Sequence, residues 1–149
     1  MPTTSLTEHF TLEEFIVSET AARQGIDNTP KGDNLTNVKR TAETMEKVRT
    51  RLGSKPILIS SGYRSPQVNA AVGGASNSAH MSGLAVDFTC PGFGDPISIC
   101  HALSPHMAEL GIDQLIHEFG SWVHLGLSAG APRMMALTID QGGTRSGFA

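Results

Sequence analysis

One ten-residue segment, residues 78–87, constrains the fold more than any other part of this sequence. It follows the pattern S-x-H-x-x-G-x-A-x-D and places the His80 imidazole seven positions before the Asp87 carboxylate. A further imidazole, His124, follows Trp122 and Val123 much later in the chain. The first histidine falls in a Ser/Gly-rich loop, Asp87 in a strand, and His124 in another strand. A fold that joins them must bring one loop and two strands together.

These three side chains are a suitable set of metal ligands. Two neutral imidazoles and one carboxylate fit Zn²⁺ and leave its fourth position open. An open position is what a hydrolytic metal site requires, because water can be activated there. The alternative is a hydrogen-bonded pair of His80 and Asp87 without metal. The complete motif, together with a second histidine in a strand, favours zinc.

Composition and charge exclude several classes of protein. The 149 residues fit one domain, 1–149, with short flexible ends at about 1–9 and 141–149. A hydrophobic fraction of 39% and a charged fraction of 17% are typical of a globular protein. The net charge of −3 argues against nucleic-acid binding. No apolar run is long enough to span a membrane, and we expect a monomer.

The N-terminus and the cysteines bear on the compartment. Residues 1–10 contain neither a basic segment nor an apolar segment, so we predict no signal peptide and synthesis in the cytoplasm. Cys90 and Cys100 are too few for a disulfide framework and fit a reducing compartment. A single bridge between them stays open at this point.

Periodicity and capping signals predict helices early in the chain and strands late. The expected helices are 10–25, in which Thr11 and Glu14 form a capping box, 35–52, a short one from 65, and one from 95. Ser104-Pro105 either interrupts this last helix or starts a second one. The expected strands are 57–60, 84–89, 114–119, 122–127 and 134–139. This order predicts an α+β fold with helices packed on a small antiparallel sheet.

Several segments resemble the zinc D-Ala-D-Ala carboxypeptidase family, the M15 peptidases. Besides the two histidine motifs, they are S-G-Y-R-S at 61–65, H-F-T-L-E-E-F at 9–15, A-A-R at 21–23 and G-I-D-N at 25–28, the last three similar to the compact phage-type branch. The resemblance implies a Hedgehog/DD-peptidase-like fold and cleavage of peptide bonds in peptidoglycan stem peptides. It implies His80, Asp87 and His124 as zinc ligands and Arg64 as a cation that binds a substrate carboxylate or the oxyanion.

Arg64 also has a physical argument of its own. Peptidoglycan stems end in a carboxylate, which a guanidinium can bind through two parallel hydrogen bonds. The alternative is a surface arginine or a structural salt bridge. Its place in a Ser-Gly-Tyr-Arg run directly after a buried strand favours the substrate-binding role.

The general base is where the chain departs from the family. Related enzymes have a carboxylate about three residues before the last ligand, where this chain has Ser121. Glu118 is the nearest acid. A three-residue loop would put Glu118 opposite Trp122 and on the same face as His124, whereas a two-residue turn would bring His117 there instead. We prefer Glu118 as the base, with His117 as a hydrogen-bond donor to the oxyanion.

The functional hypothesis is a zinc-dependent peptidase that cleaves cell-wall peptide, as an endolysin does. It would act on the wall, in the periplasm, after release, or as part of a virion. The same chemistry would serve a D-Ala-D-Ala carboxypeptidase or an L-alanyl-D-glutamate endopeptidase, and the pocket decides between them. The alternative from another class is a non-catalytic zinc protein that binds the wall or belongs to a virion.

Overall fold

The computed structural model describes residues 4–148. Its helices are α1 (Leu12–Ile16), α2 (Glu19–Gln24), α3 (Asp33–Arg51), α4 (Pro66–Ala71), α5 (Pro96–Leu103) and α6 (Met107–Leu110), with 3₁₀ turns at Ala79–Ser82 and Ser104–His106. Its strands are β1 (Leu58–Ser61), β2 (Ala85–Thr89), β3 (Gln114–Glu118), β4 (Trp122–Gly126), β5 (Met135–Asp140) and β6 (Gly143–Ser146). The predicted α+β class is confirmed.

The six strands form one sheet in the order β1-β2-β4-β3-β5-β6. All neighbouring pairs are antiparallel except β3 and β5, which are parallel. The sheet is therefore mostly antiparallel, as predicted, with one parallel pair. The connection from β4 to β5 stays at the end of the sheet where β3 begins, and β5 pairs with β3 on the side away from β4.

Alternation along the central strands gives the sheet two different faces. On one face, β2 and β4 contribute fully buried apolar side chains that pack with the apolar side of α3 in the core. These side chains include Val86, Phe88, Val123 and Leu125 on the strands and Val38, Ala42, Met45 and Val48 on the helix. The opposite face of the same strands carries Asp87 and His124. Residues of the functional site thus sit on a rigid, well-packed support.

The predicted helix over 10–25 is two short helices. The capping box of Thr11 and Glu14 is present, but α1 ends at Ile16 and Ser18 caps α2 separately. The Phe15 carbonyl accepts a hydrogen bond from the Tyr63 N–H at 2.6 Å, and the Ile16 carbonyl accepts one from Asn28 at 2.8 Å. These distant partners take the carbonyls that would have continued the helix.

Residues near both ends of the chain contact the rest of the fold. Met1–Thr3 and Ala149 lie outside the described residues, but Thr7 and His9 both hydrogen-bond to Glu46 of α3. The segment expected as a loose tail contains β6, whose partner is β5. Beyond β6, the Phe148 ring lies 5.8 Å from the His101 ring. Residues 141–149 have no apolar alternation, so periodicity could not reveal the strand.

The two cysteines do not form a disulfide in this structure. Cys90 and Cys100 are both free and buried, and burial raises the pKa of the Cys100 thiol to about 12.

In the described residues, no helix combines the length and the apolar character needed to cross a membrane.

Gly83 of the ten-residue motif is fixed by a close approach to α3. Its φ is +79°, and a Cβ there would lie 2.6 Å from the Asn34 carbonyl oxygen and 2.7 Å from a Val38 methyl. Its own carbonyl accepts a hydrogen bond from the buried Thr41 hydroxyl at 2.7 Å. The glycine therefore lets the turn that carries His80 rest directly on α3.

We expect Gly83→Ala to lower the free energy of unfolding by about 2–4 kcal/mol, from left-handed strain plus overpacking. Gly111→Ala is the matched control, because Gly111 also has a positive φ, +71°, but nothing within 4 Å of the added Cβ. Urea unfolding of both variants measures the difference. Equal losses would mean that contact with α3 does not require the glycine.

Candidate metal centre and catalytic cleft

The three predicted ligands converge on one face of the sheet. His80 lies in the 3₁₀ turn before β2, Asp87 lies in β2, and His124 is the direct cross-strand neighbour of Asp87 in β4. Asp87 Oδ1 is 2.9 Å from His124 Nδ1 and 3.4 Å from His80 Nε2. One donor atom from each residue lies within 4.8 Å of the others.

The His80 ring is oriented by a backbone carbonyl. Its Nδ1 lies 2.6 Å from the Gly62 carbonyl oxygen, which can only accept a hydrogen bond. The proton therefore sits on Nδ1, and the Nε2 lone pair faces Asp87. The Ser78 hydroxyl accepts the His80 N–H and caps the turn. Gly62 has no room for a side chain, since a Cβ would lie 2.5 Å from the Phe15 carbonyl oxygen.

Asp87 is held in its ionised form. Burial alone would raise the pKa of its carboxyl, but the neighbouring His124 and His80 rings outweigh burial and keep that pKa well below its ordinary value. The centre thus offers an ionised carboxylate to a metal ion.

The donor set fits Zn²⁺. Tetrahedral zinc with bonds of about 2.0–2.2 Å requires donor atoms roughly 3.3 Å apart, and the His80–Asp87 separation is 3.4 Å. The His124–Asp87 separation of 2.9 Å is slightly shorter and is a hydrogen-bond distance. Two nitrogen ligands and one oxygen ligand leave one tetrahedral position for water or substrate.

The hairpin between β3 and β4 has the three-residue loop. Glu118 pairs with Trp122 and Ile116 pairs with His124, so Glu118 and His124 lie on the same face. Glu118 Oε1 is 3.7 Å from His124 Nδ1. Burial raises the pKa of the Glu118 carboxyl above its ordinary value; the Asp87 charge acts the same way, and His124 opposes it. Ser121 lies in the exposed loop and donates a hydrogen bond to the Phe119 carbonyl.

His117 is not brought to this centre. It pairs with Val123 on one side and Thr138 on the other, and alternation directs its buried side chain to the opposite face from Glu118. Its predicted contact with the oxyanion is therefore wrong for this geometry. The prediction failed because a two-residue turn and a three-residue loop reverse the faces of neighbouring residues.

Arg64 lies beside the centre on the β1 side. Its backbone N–H donates to the His80 carbonyl at 3.0 Å, which ties its position to that of a ligand. Nη2 is 3.4 Å from the Ser78 hydroxyl, and the buried Nε has no hydrogen-bond partner in residues 4–148. Burial lowers the pKa of the Arg64 guanidinium, while the charges of Asp87 and Glu118 partly offset this shift.

Asn28 positions the Arg64 segment, and sequence analysis did not identify it. Its side-chain amide donates to the Tyr63 and Ile16 carbonyls, and its oxygen accepts the Ser65 N–H at 2.8 Å. The residues on both sides of Arg64 are thus fixed by one buried side chain. Asn28 ends the G-I-D-N segment of the resemblance, but its partners Tyr63 and Ser65 are distant in sequence, so no local pattern indicates this role.

Asp113 fixes the connection between β4 and β5. Instead of supporting a ligand histidine, its carboxylate accepts hydrogen bonds from the Arg133 backbone N–H and guanidinium, at 2.7–3.2 Å. These bonds hold the connection that leads from β4 into β5. Asp113 and Arg133 both line the cleft that contains the three ligand residues.

The centre opens into a cleft of about 550 Å³. Arg64, Ser78 and the ligands line one part of it, and Trp122 and Glu118 lie beside them. Beyond Glu118 the wall is formed by Ile116, Leu137, Ile139 and Thr144. The cleft therefore joins a donor cluster, a carboxylate and a cation to a space large enough for a peptide segment.

An α+β fold with a His–Asp–His donor cluster, an adjacent carboxylate and an open cleft defines the class of metal-dependent hydrolases. The model of the family described as peptidase M15 matches residues 8–126. The chain belongs to the M15 peptidase family, and the resemblance seen in its motifs is confirmed.

The chain also resembles a known protein over a shorter segment. The chain is 49% identical over 43 residues to a protein named zinc D-Ala-D-Ala carboxypeptidase from Streptomyces albus G. This match covers 29% of the chain and 17% of the relative, so the chain matches only about a sixth of that protein's length.

Proposed function

We propose that this protein is a zinc-dependent peptidase that hydrolyses amide bonds in the stem peptides or cross-links of peptidoglycan. The observation that carries the proposal is the placement of Glu118 and Arg64 around the His80–Asp87–His124 cluster, in one cleft. The name of the Streptomyces relative supports both the metal and the type of substrate.

The chain's own residues have separate tasks in this proposal. His80, Asp87 and His124 hold Zn²⁺, which supplies Lewis-acid polarisation of the scissile carbonyl and lowers the pKa of water. Glu118, 3.7 Å from His124, accepts a proton from water and transfers it to the leaving amine. The burial that raises the pKa of Glu118 favours this acid–base exchange. No covalent intermediate is needed.

Arg64 binds the substrate carboxylate or stabilises the oxyanion. Its half-buried guanidinium has an unused Nε donor, and it already lies near the negative charges of Asp87 and Glu118. A guanidinium desolvated in this way gains more from an added carboxylate than an exposed one would.

The alternative from another class is a non-catalytic zinc protein that binds the wall or forms part of a virion. The observation that favours this alternative is Ser121, which stands where related enzymes have the catalytic carboxylate. Glu118 weakens that argument, because it supplies a carboxylate beside the metal ligands from the other strand of the hairpin. We therefore favour an enzyme that lyses the wall as an endolysin does, reaching the wall after release or as part of a virion. The scissile bond in this proposal is either that of D-Ala-D-Ala or that of L-alanyl-D-glutamate.

Digestion of purified peptidoglycan tests the proposal. The zinc-loaded protein should release soluble fragments, and chelation should stop the release until zinc is restored. Mass spectrometry of the fragments identifies the bond. Binding to the wall without any released fragment would favour the non-catalytic alternative.

We expect Arg64→Ala to keep zinc and to reduce kcat/KM by about 10- to 150-fold, the cost of one charge-assisted contact. Arg64→Lys should recover little, because an ammonium cannot form the two parallel bonds of a guanidinium. Steady-state hydrolysis of a stem peptide, with metal analysis of each variant, measures both effects. Arg23→Ala is the control, since Arg23 is an exposed arginine of α2 that does not line the cleft. Full turnover by Arg64→Ala would remove it from the site.

A further inference from the structure

The C-terminal hairpin forms one wall of the cleft. Parallel pairing of β3 with β5 sets Leu137 beside Ile116 and Ile139 beside Glu118. Thr144 of β6 is in turn the cross-strand partner of Ile139. Because paired residues project to the same face, these side chains extend the row that begins at Asp87 and His124. We call Ile116, Leu137 and Ile139 the aliphatic strip.

The aliphatic strip is open to the cleft. Leu137 and Ile139 are only partly buried, whereas Thr138 between them is buried on the other face. All three members of the strip line the same cavity as the ligands. Residues 135–146 also lie outside the segment 8–126 that the family model matches. The C-terminal hairpin thus supplies an apolar wall of the cleft from a part of the chain that the family match does not cover.

The two ends of the cleft differ in polarity. Arg64 lies on the side of β1 and β2, and the strip lies across the metal ligands on β3 and β5. A peptide whose carboxylate contacts Arg64 and whose scissile carbonyl lies at the ligands must continue towards the strip. An apolar wall binds an aliphatic side chain there and disfavours a charged one.

We propose that the aliphatic strip is the subsite for the substrate residue on the far side of the scissile bond from the carboxylate that Arg64 binds, and that this residue is small and aliphatic. The inference rests on the proposed function. Both candidate bonds meet the requirement: D-Ala-D-Ala and L-alanyl-D-glutamate each place an alanine on that side. The strip therefore sets specificity for a methyl group without choosing between the two bonds.

Paired substrates test the subsite. Stem peptides with alanine or with glycine at this position would be compared for wild type and Ile139→Asn, using kcat/KM. We expect the wild type to prefer alanine by about 10-fold, the lower range for one methyl group in a pocket. The Ile139→Asn variant should lose most of that preference by losing rate on the alanine peptide alone. Leu58→Asn is the control, because Leu58 is an exposed strand leucine outside the cleft.

The possible outcomes separate this inference from the proposed function. A wild type that cleaves neither peptide nor peptidoglycan contradicts the function itself. If the wild type cleaves the peptides and Ile139→Asn keeps the same preference for alanine, the subsite assignment is wrong. It is also wrong if Ile139→Asn changes only the preference for the substrate residue that carries the carboxylate. Thermal melting checks that the variant is folded. If it is not, Ile139→Ala replaces it, and the same ratio decides.

Discussion

His80→Ala and Asp87→Ala are each expected to lose bound zinc and all measurable hydrolysis. Each removes one of three protein ligands, so the loss of zinc affinity should exceed the roughly 10- to 100-fold cost of losing an outer-shell partner. His80 is also the ligand fixed by the Gly62 carbonyl, at 2.6 Å. Metal analysis after dialysis against a weak chelator measures the loss, and wild type should retain about one zinc per chain.

The folded protein should also be stabilised by zinc. A ligand that binds only the folded state adds about 2.7 kcal/mol at a hundred times its dissociation constant. The melting temperature of the wild type should therefore fall on chelation, while that of His80→Ala should not respond. His101→Ala is the matched control, since His101 lies on α5 against Phe148 and should keep full zinc. Full zinc in His80→Ala would contradict the ligand assignment.

The ligand cluster could be predicted because its geometry is encoded locally. His80 and Asp87 belong to one turn and the strand that follows it, and His124 is marked by its own strand. Only the pairing of β2 with β4 is long-range, and strands with one buried face specify their register strongly.

Features that depend on distant partners could not be predicted in the same way. The first helix breaks because Tyr63 and Asn28 bond to the carbonyls of Phe15 and Ile16, and nothing in the local sequence indicates this. The β5–β6 hairpin was missed in part because all four β6 residues are exposed and show no alternation. Strand β5 itself was predicted, but its parallel pairing with β3, which builds the cleft wall next to Glu118, is long-range and has no local signal.

The loop between β3 and β4 shows why two alternatives remained open. Gly120-Ser121 suggests a two-residue turn, yet Phe119 also leaves the strand and adopts a left-handed conformation with φ +54°. Bulky residues rarely take that conformation, so sequence preference argued against the observed loop. Packing decides it instead: the Phe119 ring lies 5.6 Å from the Trp122 ring, and its N–H donates to the Ile139 carbonyl at 2.8 Å.

Glu118→Gln is expected to bind zinc normally and to lose about 10²- to 10⁴-fold in kcat, the usual contribution of a positioned general base. Glutamine keeps the shape of the side chain and can still hydrogen-bond, but its amide cannot accept a proton from water. The loss should appear in kcat more than in KM, because proton transfer occurs in the transition state. Single-turnover hydrolysis of a stem peptide, with zinc content measured on the same sample, tests this.

His117→Gln is the matched control, because it changes the neighbouring residue on the opposite face of β3. It should retain most of the wild-type turnover per folded molecule, even if its buried position lowers the melting temperature. The opposite ranking, with His117→Gln inactive and Glu118→Gln active, would contradict the three-residue loop and the choice of base together. Full activity in both variants would mean that a group outside this hairpin takes the proton. The relative activities of the two variants therefore test whether the hairpin has a two-residue turn or a three-residue loop.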